Sequence, residues 1–118
     1  MKDGLHISDV GTKRWFKDGK LHRYDGPAVI RSDGEQWWYK KDKIHRDDGP
    51  AGIFPDGTQY WFKNGLVHRD GGPAIICADD THYWYKDDQP YEPSAHDLMV
   101  WKMNEKEQTK KHENIILR

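Results

Sequence analysis

The phrase "HRYDGPA" at residues 22–28 returns as "HRDDGPA" at 45–51 and as "HRDGGPA" at 68–74, 23 residues further on each time. This period constrains the fold more than any other feature of the chain, because equivalent positions must do equivalent mechanical work. One unit begins at Gly11 ("GTKRWFKDGKLHRYDGPAVIRSD"), the next at Gly34 ("GEQWWYKKDKIHRDDGPAGIFPD") and a third at Gly57 ("GTQYWFKNGLVHRDGGPAIICAD"). A partial fourth begins at Asp80 ("DTHYWYKDDQPYEPS"), and no insertion or deletion separates the four. Trp15, Trp38, Trp61 and Trp84 fall in register, as do Lys17, Lys40, Lys63 and Lys86. The opening "KDGLHISDVG" reads as the worn second half of an earlier unit, and the pattern stops after Pro93. At 118 residues the chain makes one domain. It divides into a degenerate N-terminal cap over 1–10, a β-repeat array over 11–93 and a C-terminal helix and tail over 94–118.

Each unit reads as a β-hairpin followed by a returning strand. "RWFK" and "YWFK" are short aromatic runs of strand character. Asp18–Gly19 and Asn64–Gly65 predict two-residue type I′ turns, which want positive φ at both central positions. The return strand is the "AVI" or "AII" after each proline, closed by "SDG", "PDG" or "ADD". The class is mainly β: a single repeat domain of stacked antiparallel β-hairpins with a C-terminal capping α-helix.

With Asp18–Gly19 as the turn, Lys17 faces Lys20, Phe16 faces Leu21, Trp15 faces His22 and Arg14 faces Arg23. Directly opposed residues share one face of the ladder. One face then gathers Trp15 with His22, Trp38 with His45, Trp61 with His68 and Trp84 with Tyr91. The other gathers Phe16 with Leu21, Tyr39 with Ile44, Phe62 with Val67 and Tyr85 with Pro90. The expectation is that each imidazole stacks on its indole. Arg46 is expected to stack on Trp37, and Arg69 on Tyr60. The Asp-Gly of the phrase should form a turn, and Pro-Ala should start the return strand. The phrase is a structural rung.

Composition narrows the class further. The chain is 33% charged with a mean hydropathy of -1.10, yet 13% of it is aromatic, including six Trp. Disordered chains are poor in aromatics, and each large ring removes roughly 150–250 Å² from water, so a thin aromatic core is feasible. A net charge of -1 and a pI near 6.6 argue against a general polyanion binder. The single cysteine, Cys77, precludes an internal disulfide. It falls where Arg31 and Phe54 fall in other units and reads as a half-buried strand residue. The apolar stretches "AIIC" and "LMVW" are far short of the ~20 residues that span a bilayer, and "MKDGLHISD" lacks a signal-peptide core. These features point to a soluble, cytoplasmic protein without a membrane span.

The units resemble MORN repeats (membrane occupation and recognition nexus), which are also 23 residues long, with aromatic–x–Asn/Asp–Gly–Lys and a later Asp–Gly. The variant here carries Trp-Phe/Tyr-Lys, His-Arg and Asp-Gly-Pro-Ala. It is similar to MORN-like repeats of phage, giant-virus and bacterial proteins, some of them regarded as antitoxins. The resemblance covers residues 11–93. It departs from ordinary MORN in having His-Arg where His-Gly is usual, and in the added Pro-Ala step. It implies a twisted antiparallel sheet used as a scaffold or protein-binding surface, with no catalytic residues and no cofactor to carry over.

Beyond the array, Ser94 with Asp97 is a helix-start pattern of the capping-box kind. Leu98 and Trp101, with Met99 and Met103, form one apolar stripe expected to lie on the last hairpin. Glu107 and Lys111 are placed as an i,i+4 pair, and the final "IILR" is free to fold back or to bind a second chain.

Three site readings compete. Hairpins stacked in one sheet repeat every ~10 Å, so His22, His45 and His68 cannot converge on one zinc ion, which binds nitrogen at ~2.0–2.1 Å; no metal site is expected. His45 with Asp47 or Asp48 has the elements of a hydrolase, but an active site seldom comes in repeated identical copies. Lys17, Lys40, Lys63 and Lys86 beside stacked rings suit nucleic acid or a nucleotide, the alternative reading, against which stand the weak net charge and the many turn aspartates. The leading expectation is a non-catalytic protein-binding module; the resemblance to MORN-like repeats further implies a small phage or bacterial accessory or inhibitor protein, antitoxin-like or engaged in host interaction. Aromatic and Arg side chains dominate interface hot spots. Candidate binding residues are the irregular Tyr24, Trp37 and Phe54, with Asp87–Asp88 and the four lysines. A homodimer through a sheet edge or the C-terminal tail is a further expectation.

Overall fold

A computed structural model describes residues 3–105. Fifteen short strands follow one another: β1 (Gly4–Ile7), β2 (Lys13–Lys17), β3 (Lys20–Leu21), β4 (Val29–Ile30), β5 (Gln36–Trp37), β6 (Tyr39–Lys40), β7 (Lys43–Ile44) and β8 (Gly52–Ile53) come first. After them come β9 (Gln59–Tyr60), β10 (Phe62–Lys63), β11 (Leu66–Val67), β12 (Ile75–Ile76), β13 (His82–Tyr83), β14 (Tyr85–Lys86) and β15 (Gln89–Pro90). One helix, α1, covers residues 95–105. All strand pairing is antiparallel.

The hairpin register follows the turn chemistry. Phe16 faces Leu21, Tyr39 faces Ile44, Phe62 faces Val67 and Tyr85 faces Pro90, as the two-residue turns require. Both turn residues have positive φ in every unit: 53° and 75° at Asp18–Gly19, 50° and 67° at Lys41–Asp42, 51° and 83° at Asn64–Gly65, and 47° and 65° at Asp87–Asp88. A type I′ turn matches the twist of the strands it joins. The return turns close through a second device. Asp33, Asp56 and Asp79 accept the amides of Glu35, Thr58 and Thr81 at 2.8, 2.9 and 3.0 Å.

The hairpins do not all lie in one sheet. The strand that opens each later unit changes partner at its tryptophan. Its first half joins a nine-stranded sheet ordered β1-β2-β4-β5-β8-β9-β12-β13 with β3 attached to β2. Its second half turns into a separate two-stranded ribbon, β6-β7, β10-β11 or β14-β15. The reason is length: each return strand has two residues and reaches only the first half of its neighbours. Trp38 and Trp61 serve both layers. Trp38 donates its amide to Ala51 O at 2.8 Å and accepts from His45 N at 3.0 Å, and Trp61 repeats this with Ala74 and His68. At the N-terminal end β1 pairs along β2 from Gly4–Phe16 to Ile7–Lys13, which keeps β2 unbroken.

The core is thin. Ala28, Ala51 and Ala74 are fully buried, and Val29 and Trp84 are nearly so. Trp37 lies over Gly52, where an added Cβ would come within 2.5 Å of the indole. The equivalent positions hold Val29 and Ile75, so the glycine answers the one indole at that place in the array. Trp37, Phe54, Tyr60 and Phe62 meet in one cluster with ring centroids 5.4–6.4 Å apart.

The helix starts as its cap predicts. Ser94 N donates to Asp97 Oδ2 at 2.9 Å, and Asp97 N donates to Ser94 Oγ at 3.0 Å. Trp101 stands edge-on to Trp84 and to His82, at 5.9 and 4.8 Å between centroids. The rest of the expected stripe is not covered, for Met99 and Met103 are 53% and 61% exposed. Trp101 supplies the ring contact between the helix and the last hairpin. Glu107, Lys111 and "IILR" lie outside the described residues. Among those described, no helix is long and apolar enough to cross a membrane.

Two outcomes follow. Gly52→Ala should destabilise by about 1–3 kcal/mol, and by less in a Trp37→Tyr background; denaturant melts of the four combinations check this. The amides of Thr58 and Ser94 and the hydroxyl of Thr81 hold the carboxyls of Asp56, Asp97 and Asp79 below the ordinary aspartate value. A folded value below the unfolded one adds stability that is present above pH ~3.9 and lost as pH falls through the folded values. Melting temperatures between neutral pH and pH 2.5 should decline with a shallower acid limb in Asp97→Asn.

Candidate binding grooves

The repeated phrase resolves into two clamps. The first lies within a unit. The guanidinium of Arg23 sits 3.8 Å above the Trp15 ring centroid, and Arg46 and Arg69 sit 4.0 Å above Trp38 and Trp61. Arg23 Nε donates to Asp25 and its Nη1 to Pro27 O, and Arg46 repeats this with Asp48 and Pro50. Arg69 keeps the carbonyl of Pro73, while Gly71 replaces the aspartate. Gly26, Gly49 and Gly72 lie beneath the guanidinium, where a Cβ would approach its carbon within 3.1, 2.9 and 2.7 Å. The Asp-Gly of the phrase is therefore an arginine seat and not a turn.

The second clamp joins neighbouring units. His22 Nδ1 accepts the amide of Lys41 at 3.3 Å, His45 that of Asn64 at 2.9 Å and His68 that of Asp87 at 3.1 Å. Each tie reaches the first turn residue of the next hairpin. The second turn residue adds a backbone bond, from Asp42 N to Leu21 O, Gly65 N to Ile44 O and Asp88 N to Val67 O. Where that residue is aspartate, its carboxylate also takes the amide of Leu21 or Val67, both at 2.6 Å. His45 and His68 donate their other nitrogen to Asp47 and Asp70 at 2.7 and 3.0 Å.

Two expectations are corrected by this geometry. Arginine, not histidine, lies on Trp15, Trp38 and Trp61, because histidine is turned toward the next hairpin by the amide it accepts. Arg46 and Arg69 cover Trp38 and Trp61, not Trp37 and Tyr60, because their Nη1 groups are held by the carbonyls of Pro50 and Pro73, with the guanidinium 4.0 Å from the Trp38 and Trp61 ring centroids. In the last unit Trp84 meets Tyr91 edge-on at 79°, and Trp101 covers it where Glu92 replaces the arginine.

Grooves run between the units. The larger, about 1000 Å³, is walled by the second and third units, the opening of the fourth and α1. Asp47, Asp48, Asp56, Asp70, Asp80 and Glu105 line it, against Arg46, Lys63 and Arg69. Two of these three cations lie on indoles. Burial pulls the Arg69 guanidinium below its ordinary value, and the carboxylate of Glu105 opposes that shift. The smaller groove, about 580 Å³, lies between the first and second units and holds Tyr24 and Lys40.

No protein-family model, curated protein or solved structure matches the chain. Its candidate site must be read from its own residues.

Those residues are scattered. Lys17, Lys40, Lys63 and Lys86 are all exposed at hairpin ends, with Lys17 5.4 Å from the Tyr24 ring centroid and Lys86 5.2 Å from that of Tyr91. Trp37 and Phe54 touch each other but line neither groove. Tyr24 is 87% exposed. Asp87 and Asp88 bind the preceding unit. Cys77 is half-buried at the start of the last return turn. Edge strand β1 leaves Leu5 and Ile7 exposed. Among the described residues, no group of three or more His, Cys, Asp or Glu is placed to hold a metal ion. Sequence reasoning missed Trp101, Glu105, Asp56 and Asp80 as groove residues, since α1 and the return turns meet only in three dimensions.

His45→Phe keeps a ring of similar size and removes the acceptor of the Asn64 amide. We expect a loss of about 1–2 kcal/mol and roughly tenfold faster hydrogen exchange at Asn64. An unchanged exchange rate at that amide would show that the imidazole does not tie the units.

Proposed function

We propose that the chain is a non-catalytic protein-binding module of MORN-like repeats, an accessory or inhibitor protein whose larger groove receives a basic segment of its partner. The observation that carries this reading is the groove walled by the second, third and fourth units and α1, where six carboxylates meet three cations and Trp61 and Trp101 line the wall. Asp47, Asp48 and Asp70 are paired within their own units, while Asp56 and Asp80 stand in no ion pair among the described residues. An excess of acid beside indoles suits Lys or Arg side chains, whose ammonium or guanidinium groups favour ring faces and carboxylates. The same excess opposes a phosphate backbone. The absence of a catalytic role is supported by the engagement of both ring nitrogens of His45 and His68, which leaves neither as a general base.

The test measures binding of a fluorescent lysine-rich decapeptide and a single-stranded oligonucleotide, followed by affinity purification from the native host. The peptide should bind in a salt-sensitive way, about fivefold weaker with Asp80→Lys and tighter with Lys63→Glu. Stronger binding of the oligonucleotide, or a peptide affinity indifferent to both reversals, would overturn the proposal.

A further inference from the structure

The first unit breaks the pattern of the others at one atom. In the second and third units the residue two places after the histidine is an aspartate that accepts from the imidazole Nε2, Asp47 at 2.7 Å and Asp70 at 3.0 Å. The first unit has Tyr24 there. His22 still accepts the Lys41 amide at Nδ1, so its proton sits on Nε2. That Nε2 is buried and has no hydrogen-bond partner. A buried donor calls for an acceptor.

The surroundings favour an anionic one. Tyr24 stands edge-on to the imidazole with ring centroids 5.2 Å apart, and its 87% exposure leaves it room to swing aside. The groove beside it, about 580 Å³, is lined by carboxylates that already have partners. Asp25 binds Arg23, Asp47 binds His45 and Asp48 binds Arg46. Lys40 lines the same groove, and the Lys17 ammonium lies over the Tyr24 ring.

We propose that His22 and Lys40 form a carboxylate-binding site, with Tyr24 as its cover. An aspartate or glutamate side chain of a protein partner takes the place against His22 Nε2 that Asp47 and Asp70 take in their own units. The array thus supplies its own template for the ligand: two units carry the carboxylate in the chain, and the first receives it from outside. The proposal rests on the protein-binding reading only for the carrier of the carboxylate, because the site itself answers to a small probe.

The experiment follows the imidazole nitrogen resonances of the full chain during titration with acetate and with N-acetyl-glutamate, at fixed pH and ionic strength. His22 should respond in a saturable way, while His45 and His68, filled by their own aspartates, stay still. Tyr24→Asp should abolish the response and move the His22 Nε2 resonance toward that of His45, and Lys40→Gln should weaken binding several-fold. Tyr24→Asp copies the phrase of the second unit, so its fold is preserved. Tyr24→Ala should leave the site open and the response intact. A His22 response no larger than that of His45, one matched by chloride or inorganic phosphate, or one that survives Tyr24→Asp would overturn the assignment. A silent His22 with lysine-rich peptide binding intact would remove this site and leave the module reading standing; the reverse result would do the opposite.

Discussion

A guanidinium seated over an indole holds each of the first three units together, and most of the repeated phrase exists to keep it there. The chain is one-third charged and has few aliphatic residues to bury, so a conventional core is out of reach. An arginine above a tryptophan covers a ring face with a group that stays partly wet, and such a contact contributes about 0.5–2 kcal/mol. The aspartate two residues on and the proline carbonyl four residues on fix the fork, as they do at Arg23 and Arg46. The glycine beneath gives it space, and the buried alanine that follows lets the return strand close against the next unit. A lysine in place of the arginine would offer neither the flat contact nor the two directed bonds.

Units of this size cannot stand alone, and the histidine supplies the link that makes them an array. Its Nδ1 accepts an amide that a hairpin turn leaves without a partner of its own, nineteen residues ahead. The aspartates at the second turn positions of the second and fourth units adopt a left-handed backbone where glycine is easier, and their carboxylates reach back to the previous unit. The array ends where this chemistry ends: Tyr91 and Glu92 stand for His and Arg, and a tryptophan from α1 covers the last indole.

The parts of this fold legible in the sequence are those set by local rules. Asp18–Gly19 and Asn64–Gly65 fix their turns, the turns fix the register of four hairpins, and Ser94 with Asp97 fixes the start of α1. The side-chain contacts were less legible, because opposition across a ladder brings Trp15 and His22 to one face without saying which group fills the ring. The hydrogen bonds of the arginine decide that, and they depend on where the backbone carries Pro27 O. The split of the strands into a sheet and separate ribbons follows from the two-residue reach of the return strands, which the repeat period does not express. The grooves were legible only in part. Tyr24 stood out because it breaks a thrice-written phrase, whereas Glu105 and Trp101 join the larger groove through the path of the helix.

The central claim is that the arginine and the tryptophan of a unit act as a pair. A double-mutant cycle of Arg46→Met and Trp38→Leu, read by denaturant unfolding, measures that pairing without a partner or ligand. The account predicts a favourable coupling of about 1 kcal/mol, lost in the double variant. Strictly additive losses, with no coupling beyond error, would contradict it.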